Sequence, residues 1–137
     1  MASPALDASA LLAYLLKEPG GEIVATAIDD GVTISTVNLA EVLSTLAKRG
    51  ADPVELAEGM VRGGLLDGAI SIEPFSVADA IESARLRPLT ESAGLSLGDR
   101  ACVAQARRLG APVLTADLAW LELSLPVEVR PIRESGR

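Results

Sequence analysis

LSLGDRACVAQARRLGAPVLTAD, residues 95–117, reads as a helix over 97–109 running into the strand "PVLT", with Asp99 near its front and Asp117 at its back. Ser96 is the N-cap candidate, a small polar residue just before the helical spacing begins. Most of the stretch should be hidden from water, so an acid at each end asks for a reason. The rest of the chain repeats the arrangement. "SPALD" (3–7) is a short strand closed by Asp7, and "ASALLAYLLKEPGG" continues as a helix stopped by Pro19, Gly20 and Gly21. "EIVATAIDDG" (22–31) suggests a second short helix, and "VTIS" (32–35) has the β-branched composition of a buried strand.

Further along, "TVNLAEVLSTLAKRG" (36–50) is a helix with basic Lys48 and Arg49 in its last turn and a terminal glycine. "ADPVELAEGMVRGG" opens another, with Asp52 as N-cap and Pro53 at the first helical position. "AISIEPF" (69–75) is expected as a strand and "SVADAIESARLR" (76–87) as an amphipathic helix. The Pro- and Gly-containing "PLTESAGLS" (88–96) is expected as a polar loop. "LAWLEL" makes a short helical turn, and "VEVRPI" a last strand. Strands alternating with helices imply an α/β fold, a mostly parallel sheet covered on both faces.

The chain has 137 residues, which fits a single domain over 1–137. The longest apolar run, Ala10 to Leu16, is far below the ~20 residues a bilayer crossing needs, so no membrane partner is expected. No Lys or Arg precedes Lys17, so a positively charged leader is missing and cytoplasmic placement is expected. Cys102 is the only cysteine and is expected in the core; it excludes an intramolecular disulfide.

The chain has no histidine, which removes Ser-His-Asp and Cys-His nucleophiles, imidazole acid–base pairs and ordinary zinc sites. Carboxylate chemistry remains. The net charge of −7 argues against bulk attraction to nucleic acid, so an anionic substrate must be held locally. Reactive groups in parallel α/β sheets gather at the carboxyl ends of the strands, where Asp7, Asp99 and Asp117 would share one edge. Glu41 is a fourth candidate: its neighbours Leu39, Val42, Leu43 and Leu46 look core-facing, and Asn38 lies one turn before it on nearly the same face. Each acid also has a plainer reading. Asp7 and Asp99 suit helix caps, Asp117 a cap of the following turn, and Glu41 a solvated helix position. Asp29, Asp30, Glu55 and Glu58 read as exposed charges, and Trp120 and Tyr14 as packing residues.

"LDASALLAYLLKEPG", "TVNLAEVLSTL", "LSLGDRACVAQARRLGAPVLTAD" and "DLAW" resemble the ordered motifs of PIN-domain ribonucleases, particularly the VapC-like toxins of bacterial toxin–antitoxin pairs. The resemblance covers nearly the whole chain, while residues 50–94 match only in helical character. It implies a PIN-like three-layer α/β/α fold with four to five central strands. By similarity, Asp7, Glu41, Asp99 and Asp117 correspond to the acidic metal-binding set, with Ser9 and Thr115 as supporting hydroxyls and Asn38 as a neighbour. Magnesium or manganese is the implied cofactor, in keeping with oxygen-only ligands. The implied partners are an RNA substrate, a VapB-like antitoxin and a second copy in a homodimer. Arg100 would pair with an acid or meet phosphate, the ion pair being the expected role. Arg85, Arg87 and the 88–96 segment are candidates for RNA selection. Two other classes stay open: an aspartate-based phosphoryl-transfer domain, and a catalytically silent PIN-like binding module.

Overall fold

The computed structural model describes residues 2–134. Its strands are β1 (Ala5–Leu6), β2 (Val32–Ser35), β3 (Ile70–Glu73), β4 (Val113–Thr115) and β5 (Val129–Pro131). Its helices are α1 (Ala8–Leu15), α2 (Gly21–Asp30), α3 (Thr36–Lys48), α4 (Pro53–Arg62), α5 (Val77–Thr90) and α6 (Leu97–Leu109). Short 3-10 turns occupy Glu91–Ala93 and Leu118–Glu122. The five strands form one sheet in the order β3-β2-β1-β4-β5, and every pairing is parallel.

β1 is only two residues long yet lies at the centre, paired on one side with β2 through Ala5↔Thr33 and Leu6↔Ile34, and on the other with β4 through Ala5↔Val113 and Leu6↔Leu114. Successive side chains point to opposite faces, which splits the core in two. Leu6, Ile34 and Leu114 pack with buried residues of α1, α2, α3 and α4, including Leu11, Val24, Val42 and Met60. Ala5 and Val113 face the other way, against Leu86 of α5, Cys102, Val103 and Ala106 of α6, and Trp120. Trp120 and Cys102 are fully buried, as expected, whereas Asp29, Asp30, Glu55 and Glu58 are exposed. Removing Trp120 would cost about 3–5 kcal/mol of packing.

The chain leaves β1 toward β2 and β3 on one side and returns to β4 and β5 on the other. The β1–β4 boundary is therefore the switch point of the sheet, where the outgoing connections diverge and leave a crevice. Among the described residues, no helix is long and apolar enough to cross a membrane.

One expectation is overturned. The segment 88–96 is not a loop: α5 runs through Pro88 to Thr90 and passes into the 3-10 turn. Pro88 removes the N–H that would bond the carbonyl of Ala84. Compensation comes from Thr90, whose hydroxyl donates to the carbonyls of Leu86 (2.9 Å) and Arg87 (3.3 Å), and from the Arg87–Glu91 ion pair one turn apart. Leu86 and Thr90 are also buried, so tertiary packing holds the turn that local propensity would break.

Candidate active site

Asp7 follows β1 directly and is the N-cap of α1, its Oδ1 accepting the N–H of Ala10 at 2.8 Å. The capping reading is thus correct, and burial adds to it: Asp7 is 2% exposed. Ser9 donates its hydroxyl to Oδ1 at 2.7 Å, and Thr115, at the end of β4, donates to Oδ2 at 2.5 Å. The same two hydroxyls accept main-chain N–H groups, Ser9 from Ala116 at 2.9 Å and Thr115 from Asp117 at 3.0 Å. Ser9 and Thr115 therefore fasten the carboxyl end of β1 to that of β4, across the switch point. Three donors favour the Asp7 carboxylate, yet desolvation outweighs them and pushes its pKa up to about 6, with the charge of Asp99 adding to the rise.

Asp99 stands in the first turn of α6 within a reciprocal capping box. The Ser96 N–H donates to Asp99 Oδ2 at 2.9 Å and the Asp99 N–H to Ser96 Oγ at 3.1 Å. Its pKa is raised, first by partial burial and also by the charge of Asp117, while the Ser96 hydrogen bonds and the Arg100 guanidinium oppose the rise. Glu41, on α3, is raised by desolvation and by Asp99. The fully buried Asn38 sets its position, donating Nδ2 both to Glu41 Oε1 and to the carbonyl of Gly98, each at 2.9 Å. Asp117 is exposed and caps the last 3-10 turn through the N–H of Ala119 at 3.0 Å.

The four acids arrive from four elements at one edge of the sheet, and Asp99 feels or imposes charge on each of the other three. Cys102, one turn into α6, registers the same field: burial pushes its thiol well up, and Asp7, Asp99 and Glu41 push it further. The thiol itself is an inert part of the core between α6 and the sheet.

One feature of the site is absent from the sequence reading, and a second departs from it. Gly98 is one: a Cβ there would overlap the Glu41 carboxylate, so glycine lets α3 bring its acid against the first turn of α6. Its signal was the glycine of "LGDR" inside a helix, where alanine is better by about 1 kcal/mol. The other is Arg100. It has no carboxylate within 4.0 Å among the described residues, contrary to the ion pair expected of it; its Nη1 donates instead to the carbonyl of Ser83 at 2.8 Å. The reason is the α5–α6 packing, which lays the side chain across the turn of α5 that precedes Pro88.

The donor set fits a hard divalent cation. It is all carboxylate, partly desolvated and mutually repulsive, and a positive ion would relieve each of those costs. Among the described residues, no three Asp, Glu or Cys side chains stand close enough to hold one ion by themselves. The arrangement therefore suits magnesium in its usual protein mode, with one or two direct carboxylates and oxygens of water or phosphate completing the shell. A cavity of about 770 Å³ lies elsewhere, between α2 and the β4–β5 edge beside Ile23, Ala27, Leu114 and Pro131, and none of the four acids lines it.

Comparison with known proteins agrees with this fold. The PIN domain family model matches residues 5–124. No curated protein matches the chain in sequence. Among solved structures, VapC20 of Mycobacterium tuberculosis, described as a sarcin–ricin loop cleaving toxin, is 18% identical with a TM-score of 0.72, covering 94% of this chain and 100% of that one. VapBC2 of Rickettsia felis, bound to a promoter DNA fragment, is 16% identical with a TM-score of 0.69, covering 93% and 96%. FitAcB of Neisseria gonorrhoeae is 20% identical with a TM-score of 0.69, covering 93% and 96%. Those likenesses support the fold, and the family model spans both ends of the acidic edge, from Asp7 to Asp117. The chain belongs to the PIN domain family.

Proposed function

We propose that this protein is a magnesium- or manganese-dependent endoribonuclease, the toxin of a toxin–antitoxin pair, acting through Asp7, Glu41, Asp99 and Asp117. The observation that carries the reading is the gathering of these acids at the switch point of the sheet, where Thr115 links Asp7 to the Asp117 N–H and Asn38 ties Glu41 to the first turn of α6, which holds Asp99. PIN domains are nucleases as a class, and the similar VapC20 is described as a sarcin–ricin loop cleaving toxin.

Asp7, Asp99 and Asp117 would hold the metal, and Glu41 would hold it or orient water. The bound ion would supply positive charge for a phosphodiester oxygen and lower the pKa of a water molecule. The chain's own contribution is placement. Ser9 and Thr115 fix both oxygens of Asp7, and Asn38 fixes Oε1 of Glu41, leaving Oε2 without a hydrogen bond among the described residues. Water as nucleophile predicts products with a 5′-phosphate and a 3′-hydroxyl; attack by the RNA 2′-hydroxyl would leave a cyclic phosphate. The test is sequencing of RNA ends after inducing the protein alone, beside Asp99→Asn. New 5′-phosphate ends that vanish in the variant are expected. Cyclic-phosphate ends, or no new ends with manganese supplied, would overturn the mechanism.

A VapB-like antitoxin belongs to the same proposal, since VapBC complexes are among the similar structures. Expression without that partner should be toxic or poor. A homodimer is proposed as well: Val77 and Ile81, one turn apart on α5, are 78% and 57% exposed and offer an apolar face for a second copy. A strictly monomeric species in sedimentation at micromolar concentration would refute the dimer.

A further inference from the structure

Arg100 differs from most arginines of this protein. Arg62, Arg87, Arg107, Arg108, Arg130 and Arg133 each have a carboxylate within 4.0 Å. Arg100 has none among the described residues; its Nη1 is tied to the neutral carbonyl of Ser83, and its buried Nε has no partner. Nη2 makes no hydrogen bond to the described residues and is not among the buried unpartnered atoms.

A carbonyl holds the guanidinium in place without cancelling its charge. Fixing one corner of the planar fork removes much of the rotamer freedom that a phosphate contact would otherwise have to freeze. Nη2 keeps its N–H groups free, and a charge-assisted hydrogen bond from it to a phosphate oxygen is open to a guanidinium already held at its other corner. Location matters equally. Arg100 directly follows Asp99 in the first turn of α6, which sets the guanidinium next to the acidic edge. In a chain of net charge −7, long-range attraction does not favour a polyanion, so a cation without a carboxylate partner beside the acids supplies a local attraction.

We infer that Arg100 is a phosphate-binding residue that grips the nucleic-acid backbone beside the carboxylate edge, with Ser83 of α5 as its anchor. The assignment rests on the nuclease reading above and names a substrate contact that the four acids cannot provide. It also gives α5 a role. The turn of α5 before Pro88 contains Ser83, and the carbonyl there is the one Arg100 takes.

The test uses a fluorescein-labelled RNA oligonucleotide spanning the cleavage site found by end sequencing, with Asp7→Asn present throughout to block turnover. Anisotropy titrations run from about 50 to about 200 mM salt, where phosphate contacts dominate the dependence. In that background, Arg100→Gln should weaken binding at least ~10-fold and flatten the slope of log K against log salt by about 0.7, the share of one phosphate on a single strand. Arg100→Lys should keep the slope and lose part of the affinity, because an ammonium supplies charge but no fork. A purely structural tie between α5 and α6 predicts the opposite: a lower unfolding midpoint with affinity and slope unchanged, which would overturn the assignment. Should Arg100→Gln fail to fold, Arg100→Lys decides alone, weaker binding supporting the grip and wild-type affinity refuting it. The nuclease reading fails separately, and takes this assignment with it, if the wild type cuts no RNA and the Asp7→Asn protein binds none.

Discussion

Replacing Asp7 with asparagine should stabilise the metal-free protein and abolish cleavage together. Burial lifts the Asp7 carboxyl from 3.8 to about 6, so the fold prefers its protonated form. For an acid raised in this way, the stabilising contribution is complete below the unfolded value and is lost as pH climbs through the folded one. By pH 7.5 the loss amounts to about 3 kcal/mol, of which about 2 kcal/mol disappears between pH 4 and pH 7.5. Asparagine keeps the shape and carries no charge. It also replaces one acceptor oxygen by a donor facing the Thr115 hydroxyl, a mismatch costing about 1 kcal/mol. Net stabilisation at pH 7.5 should therefore be about 1–2 kcal/mol, shrinking and then reversing toward pH 4. Urea unfolding in EDTA, wild type beside Asp7→Asn at several pH values, measures the difference, and acids common to both proteins cancel. A difference that stays flat with pH, or that favours the wild type increasingly as pH rises, would refute the argument that Asp7 is buried at an energetic cost.

Magnesium should reverse that ranking at neutral pH, raising the unfolding midpoint of the wild type more than that of Asp7→Asn in a thermal melt with and without EDTA. Gly98→Ala should cut the cleavage rate at least ~10-fold with a stability change of no more than about 1 kcal/mol, since the new methyl displaces the Glu41 carboxylate, the free end of a flexible side chain, while alanine suits the helix. Full activity in that variant would show that Glu41 need not lie against α6. Asn38→Ala removes both hydrogen bonds of its Nδ2 and should cost about 2–4 kcal/mol in urea unfolding, together with activity; a loss below about 1 kcal/mol would mean that water replaces the amide. Asp79→Ala, far from the acids, should destabilise by about 2–4 kcal/mol without changing the metal dependence of cleavage, because it strips Arg108 of a buried partner and α5 of its capping box.

The elements legible in the sequence are those whose local chemistry and burial agree. Val32–Ser35 is β-branched and buried, Asp52–Pro53 cap and start α4 as their types dictate, and Ser96 caps α6 through the box that its spacing to Asp99 allows. α5 is different. Proline and the polar residues after it point to a loop, and the helix persists because of contacts with α6, a partner that local reading does not see. The acids follow the same division. Asp7 and Asp117 each cap the element that follows them, and Asp99 completes the capping box of its own helix, which is the plainer reading and is legible from neighbouring residues. Their convergence is not local. It depends on β1 pairing with both β2 and β4, a register that links residues more than a hundred positions apart.

That dependence separates the two roles of each acid. As a cap, Asp7 is worth about 1 kcal/mol to α1, where serine or asparagine would serve as well, and a neutral glutamine could close the box that Asp99 closes with Ser96. None of these substitutes would bring a charge that burial opposes and three neighbours repel. The fold nevertheless places four carboxylates on one edge, fixes two of them with side-chain donors, and provides Gly98 so that α3 and α6 can bring Glu41 and Asp99 together. Capping explains where the oxygens point, but not why ionisable groups occupy positions that neutral ones would fill more stably. A cation at the sheet edge does explain it, and the pH-dependent gain of Asp7→Asn measures the strain that such an ion would relieve.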